Sequence, residues 1–243
     1  MKYVKLGTIC KLKNGFAFKS DEYVDSGIRV IRITNVQKGK IVDSNPQFVE
    51  NSRINEFNDY LLNSGDILVS LTGNVGRVGI LTKELEPAVL NQRVACIRIK
   101  DKNVCSEYIF QHLNSSSFEL DAIKNSKGIA QLNLSTKWIE NYEILLPPLE
   151  EQIQIATVLS KAENLIAKRK KSIELLDEFV KSMFLQMFGY MSEKKIYFST
   201  LDEISTKITD GEHGTVPRAE KGRLYLMARN ISKYNELDFS ELS

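Results

Sequence analysis

The chain has 243 residues, 42% of them hydrophobic and 26% charged, with a formal net charge of +2. This is the composition of a soluble globular protein with one large or two ordinary domains, and the charge is too small to argue for nucleic acid by itself. No apolar run approaches the roughly 18 residues of a membrane span, the first residues lack the apolar stretch of a signal peptide, and Cys10, Cys96 and Cys105 have no CxxC spacing. A membrane protein, a disulfide scaffold and a zinc fold are thereby excluded, and a cytoplasmic chain with no metal site and no membrane partner is expected.

From Met1 to Lys40 nine basic residues stand against three acidic ones, as on a solvated or a phosphate-binding surface. Within that stretch Lys13-Asn14-Gly15-Phe16-Ala17-Phe18-Lys19 interleaves cations with aromatics. Such a segment either tracks a phosphate backbone while a ring packs on sugar or base, or anchors a loop to the core through its phenylalanines. Ile28 to Thr34 alternates apolar and polar residues, as a half-buried strand does, and Asp66 to Leu71 is nearly continuously apolar, as in a buried strand. The GxxGxxG string from Gly73 to Gly79 departs from GxGxxG, and the strand-like Val78 to Leu81 follows it where a dinucleotide site needs a helix. It reads as a hairpin loop that offers Ser70, Thr72, Asn74 and Arg77.

Val94 to Ile99 is a further strand. Ahead of it, Asn91-Gln92-Arg93 brings together two amides suited to adenine and a guanidinium suited to guanine, although one of the three equally suits the turn. Glu107 to Leu113 and Phe118 to Ile123 are short helices. Lys127 to Asn133, opened by Gly128, places polar residues at alternate positions, like a strand or loop with one polar face. Residues 1–147 therefore predict a mixed α/β (α+β) domain with an antiparallel flavour.

At Pro147-Pro148 the pattern changes. A helix from about Leu149 to Phe188 would run roughly 60 Å, better suited to spacing domains than to filling a core. Steps of three and four residues trace an apolar seam through Ile155, Leu159, Ala162, Ile166, Ile173, Leu176, Val180, Met183 and Met187, interrupted at Arg169. Such a seam wants a partner helix, so residues 148–189 predict a coiled-coil spacer. Lys168 to Lys171 is a solvated face or one that meets DNA or another subunit.

After Gly189 the opening pattern restarts. The shift that brings Leu6 onto Leu201 also brings Ile9 onto Ile204, Gly27 onto Gly222, Asn35 onto Asn230, Lys38 onto Lys233 and Asp43 onto Asp238. Residues 190–243 thus predict the start of a second α/β domain, expected to be incomplete at Ser243. Catalytic templates are missing: His112 and His213 lie in different modules, and no GxSxG, HExxH or Walker sequence occurs.

The run Leu145-Leu146-Pro147-Pro148-Leu149-Glu150-Glu151-Gln152, continued through Ile173-Glu174-Leu175-Leu176 and Met187-Phe188-Gly189, resembles the conserved spacer of type I restriction-modification specificity subunits. Gly65-Asp66-Ile67-Leu68 and Asn133-Leu134-Ser135 resemble segments of that family's target recognition domain. The resemblance implies a subunit without catalytic residues or a cofactor of its own, reading one half of a split double-stranded DNA sequence. Methylation by modification subunits with S-adenosylmethionine, and cleavage by restriction subunits with ATP and Mg, would belong to partners. Lys13, Asn14, Lys19, Asn74, Arg77, Arg93 and Lys127 are the candidate DNA contacts, and the seam is the candidate subunit interface, including self-association. The competing expectations are a stand-alone enzyme and a coiled-coil decoy that occupies modification subunits without binding DNA.

Overall fold

The computed structural model describes residues 2–128, 131–189, 199–208, 226, 230–231 and 237. The chain forms two compact units, Met1–Leu176 and Asp177–Ser243. Its strands are β1 (Lys2–Lys5), β2 (Cys10–Asn14), β3 (Ile28–Ile31), β4 (Val36–Gln37), β5 (Lys40–Ile41), β6 (Phe48–Val49), β7 (Leu61–Leu62), β8 (Ile67–Ser70), β9 (Val78–Ile80), β10 (Ala88–Leu90), β11 (Val94–Ile99) and β12 (Glu143–Leu146). Its helices are α1 (Leu6–Ile9), α2 (Ser106–Leu113), α3 (Ser116–Asn125), α4 (Thr136–Asn141), α5 (Leu149–Phe184) and α6 (Leu201–Ile204).

Two four-stranded sheets, in the orders β2-β11-β8-β9 and β6-β3-β10-β7, form the centre of the first unit, beside the two-stranded pairs β1-β12 and β4-β5. The first is antiparallel throughout, whereas β3 and β10 of the second run parallel. The near-continuous apolar strands β8 and β11 are explained by burial on both faces. Ile67, Val69, Ala95 and Ile97 face a core shared with the helices, and Leu68, Val94 and Cys96 face the second sheet. That alternation is the period of two that a strand imposes.

On the far side of the second sheet lies a third cluster, with Ile28, Val30, Phe57 and Val89. Strand β1 pairs antiparallel with β12, joining the two ends of the module. Asp66 is 4% exposed and receives two hydrogen bonds from the Arg98 guanidinium, at 2.7 and 2.5 Å, and one from the Asn63 amide at 2.8 Å. A buried carboxylate needs such partners.

Several boundaries depart from the sequence expectation. The strand expected from Ile28 to Thr34 ends at Ile31, because the Asn35 side chain accepts from the Arg32 amide and donates to the Val42 carbonyl, folding Ile33–Asn35 into a 3-10 turn. The helix expected at Phe118 starts at Ser116, since the Ser115 hydroxyl caps the Phe118 amide. The regular turns of α5 end at Phe184 and widen into a π-helix over Leu185–Gly189.

In the second unit α6 is capped by Thr200 and Glu203, each side chain accepting the other's amide. Its span, Leu201–Ile204, coincides with α1, Leu6–Ile9, under the sequence repeat. Asn35 and Asn230 are both buried in 3-10 turns. The repeat partners Gly222, Lys233 and Asp238, and His213, lie outside the described residues.

Candidate nucleic-acid interface

Strand direction gathers loops from distant parts of the sequence at one end of the sheet β2-β11-β8-β9. Strand β2 ends there at Asn14, opposite Ala95, while β11 begins at Val94 opposite Ser70, the last residue of β8. A continuous set of backbone bonds joins the loops beyond these ends. Phe16 donates to the Leu90 carbonyl and Gln92 to that of Phe16, both at 2.8 Å. Leu71 donates to Arg93, Gly73 to Leu132 and Ser70 to Arg77. Lys127 and Asn133 exchange a pair of bonds at 3.0 and 2.8 Å. Gly15 sits so close to the next loop that a Cβ would lie 2.2 Å from the Asn91 carbonyl, so only glycine fits. Gly76, at φ +78, likewise brings the hairpin loop against Ala122 of α3.

Six of the seven sequence candidates, Lys13, Asn14, Asn74, Arg77, Arg93 and Lys127, fall on or next to this set of loops. Lys19 lies outside these pairings, exposed at the head of the turn Ser20–Glu22. The six differ in what holds them. Lys13 donates to the Asp59 carbonyl at 3.0 Å, and Arg77 to the Gln37 amide oxygen at 2.7 Å, so both already tie segments of the domain together. Asn14, Asn74, Arg93 and Lys127 are exposed. The Arg93 and Lys127 side chains donate to no other group among the described residues.

Much of the remaining polar inventory is structural. Asn91 is buried and accepts the Arg93 amide, serving the turn. The Ser70 hydroxyl bonds the Asn74 carbonyl and the Arg77 amide. Phe16 and Phe18 pack edge-to-face on each other, and both lie against Phe57, so these rings anchor the loop and do not face outward to a base.

The segments that resembled a known family are architecture as well. Asp66 anchors the head of β8, Thr72 donates to Asn133 at 2.9 Å, Leu134 donates to the Leu71 carbonyl at 2.7 Å, and Ser135 caps α4. Two more exposed amides lie on these loops: Gln92, which the sequence had already set beside Arg93 as suited to a base edge, and Gln131, close to Gly73. The alternation of polar residues from Lys127 to Asn133 was the signal for Gln131.

Helix α5 meets the domain through its first turns. Gln152 and Ala156 are buried, and Gln111 of α2 donates to Glu163 at 2.7 Å. All the apolar residues of the seam within α5 are exposed. At about 100° per residue they lie on a face turned roughly a quarter of a circle from the docked one.

Burial holds the Cys10 and Cys96 thiols at about 12, and it lowers the pKa of His112 below the ordinary histidine range. The two thiols are core groups, not nucleophiles at neutral pH. Among the described residues no three His, Cys, Asp or Glu side chains converge as a metal site, and no helix is long and apolar enough to cross a membrane.

Comparison with known proteins gives a consistent result. The family described as Type I restriction modification DNA specificity domain matches residues 1–175. The chain is 32% identical over 200 residues to the type I restriction enzyme MjaVIII specificity subunit of Methanocaldococcus jannaschii, covering 80% of this chain and 47% of that one. It is 29% identical over 169 residues to the EcoAI specificity subunit of Escherichia coli, covering 68% and 28%. The fold is shared with the HsdS subunit from Thermoanaerobacter tengcongensis at a TM-score of 0.53 and 19% identity, over 70% of this chain and 39% of that one. The chain thus spans about half, or less, of the length of these relatives.

Proposed function

The chain belongs to the type I restriction-modification DNA specificity family, and from that premise we propose that it is a sequence-recognition subunit reading one half of a bipartite double-stranded DNA target. In this reading residues 1–147 are the target recognition domain, 148–189 the spacer, and 190–243 the start of a second recognition domain. The observation that carries it is the convergence of four loops at a single end of one sheet, with exposed Asn14, Asn74, Arg93 and Lys127 on a backbone stapled from behind. A stiff polar ridge suits groove readout, because bidentate base contacts demand fixed geometry. Gln92 and Arg93, side by side at the tip of a pinned turn, are suited to adenine and guanine edges, while Lys127 suits a phosphate.

The exposed seam of α5 supplies the second half of the proposal. Residues Ile155 to Met187 dock a partner helix, either in the modification subunits or in a second copy of this chain. The chain itself carries out no chemistry and binds no cofactor. Methyl transfer from S-adenosylmethionine to adenine, and cleavage driven by ATP with Mg, belong to the modification and restriction subunits it recruits. Binding of the chain and its modification subunit to duplex DNA, followed as a function of salt, tests this. A steep loss of affinity with rising salt is the expected result. A stable protein complex with no salt-sensitive DNA binding would favour the decoy.

A further inference from the structure

Gln152 is the one polar residue that α5 buries, at 1% exposure, and its amide is fully engaged. The side-chain oxygen accepts from the Cys105 amide at 2.9 Å. The side-chain nitrogen donates to the Asn103 carbonyl at 3.2 Å and to that of Pro147 at 2.8 Å. Its own backbone amide donates to Pro148 at 3.1 Å. One side chain therefore bonds the loop between β11 and α2 and the chain entering α5. A hydrocarbon of equal size would leave the Cys105 amide and two carbonyls in want of partners. Apolar packing tolerates sliding and rotation, whereas three hydrogen bonds of defined direction do not.

Resting on the recognition-subunit reading, we infer that Gln152 is a positioning residue that fixes the tilt and rotation of α5 on the recognition domain, and so sets where the half-site reader stands relative to whatever the seam docks. Leverage makes this matter. From Gln152 to Leu176 the helix runs about 36 Å at about 1.5 Å per residue, so a tilt of about 10° at its base moves that point by about 6 Å. The rise between successive bases is about 3.4 Å. An error of this size at the rivet displaces the reader by more than one base pair.

The test uses the full chain with spin labels at exposed Lys124 and Lys168, in a Cys105→Ser background, comparing Gln152, Gln152→Met and Gln152→Glu. The wild-type residue should give one narrow distance distribution, and both variants a broadened or shifted one. Amide exchange should accelerate around Cys105 and Ile153 while β8 and β11 keep their protection. In complex with the modification subunit, DNA affinity should stay within about threefold and the methylation rate fall at least tenfold, the pattern of lost positioning with binding retained. Unchanged label distances would overturn the inference. Equal loss of protection across β8 and β11 would do so too, because Gln152 would then be an ordinary core residue. The distances report on Gln152 whether or not the complex methylates, so a wild-type complex without activity counts against the functional reading alone.

Discussion

The recognition domain and the helix that leaves it treat polarity in opposite ways. The domain holds buried polar side chains by directed hydrogen bonds: Asp66 to Arg98, Ser70 within the hairpin loop, and Asn91 to the Arg93 amide. Helix α5 leaves large apolar groups in the open, with Ile173 60% and Leu176 62% exposed. Hydrogen-bond direction makes the first region stiff and specific, and unpartnered apolar surface makes the second adhesive. On the proposed function the two regions divide the labour, a rigid reader joined to an adhesive rod, and mutations can separate them.

The sharpest break in that contrast comes from charging the rod. Each isoleucine buried at a partner helix contributes about 1.5–3 kcal/mol, so Ile166→Asp with Ile173→Asp should weaken association through α5 at least about a hundredfold in sedimentation experiments. The melting temperature of the recognition domain should not move. The converse variant, Asp66→Ala, strands the Arg98 guanidinium and the Asn63 amide. It should cost about 3 kcal/mol of domain stability in urea titrations and leave association through the seam intact under folding conditions.

Arg93→Ala should lower DNA affinity about tenfold, as loss of one bidentate base contact does, and leave stability unchanged. This variant separates the outward face of the ridge from its supporting bonds. The smallest effect concerns protons. Burial lowers the pKa of His112 in the folded state, so the unfolded chain binds more protons, and stability falls as pH drops below about 6.5 toward the lowered value. The slope is bounded by one proton, about 1.4 kcal/mol per pH unit, and His112→Gln should flatten it in melting curves recorded between pH 7 and 5.

The sequence made the periodic parts of this molecule legible. Strands β8 and β11 and the long α5 emerged with boundaries close to those observed, because burial on two faces, or a seam with coiled-coil spacing, writes a repeating signal. The convergence of loops from Asn14, Asn74, Arg93 and Lys127 was not legible, since it depends on which strand neighbours which and in what direction. The buried role of Gln152, a residue the sequence had marked only by resemblance, escaped for another reason. A glutamine early in a polar helix looks solvated, and nothing local reveals that a loop some 48 residues upstream supplies its partners. The restart after Gly189 shows the limit of local pattern from the other side. Leu201 and Ile204 form the same short helix as Leu6 and Ile9, yet they are 70% and 69% exposed where the earlier pair is buried. Pattern specifies the turn but not its burial.

The most direct measurement is to combine the chain with its modification subunit and S-adenosylmethionine, then map methylated adenines on duplex DNA at single-base resolution. A reader of one half-site paired through α5 with a second copy predicts methylation at a symmetric split motif, and Arg93→Ala should relax the same position in both halves. Methylation at sites unrelated to any motif, or a motif unchanged by Arg93→Ala, Gln92→Ala and Asn74→Ala together, would contradict assignment of the ridge as the reading surface.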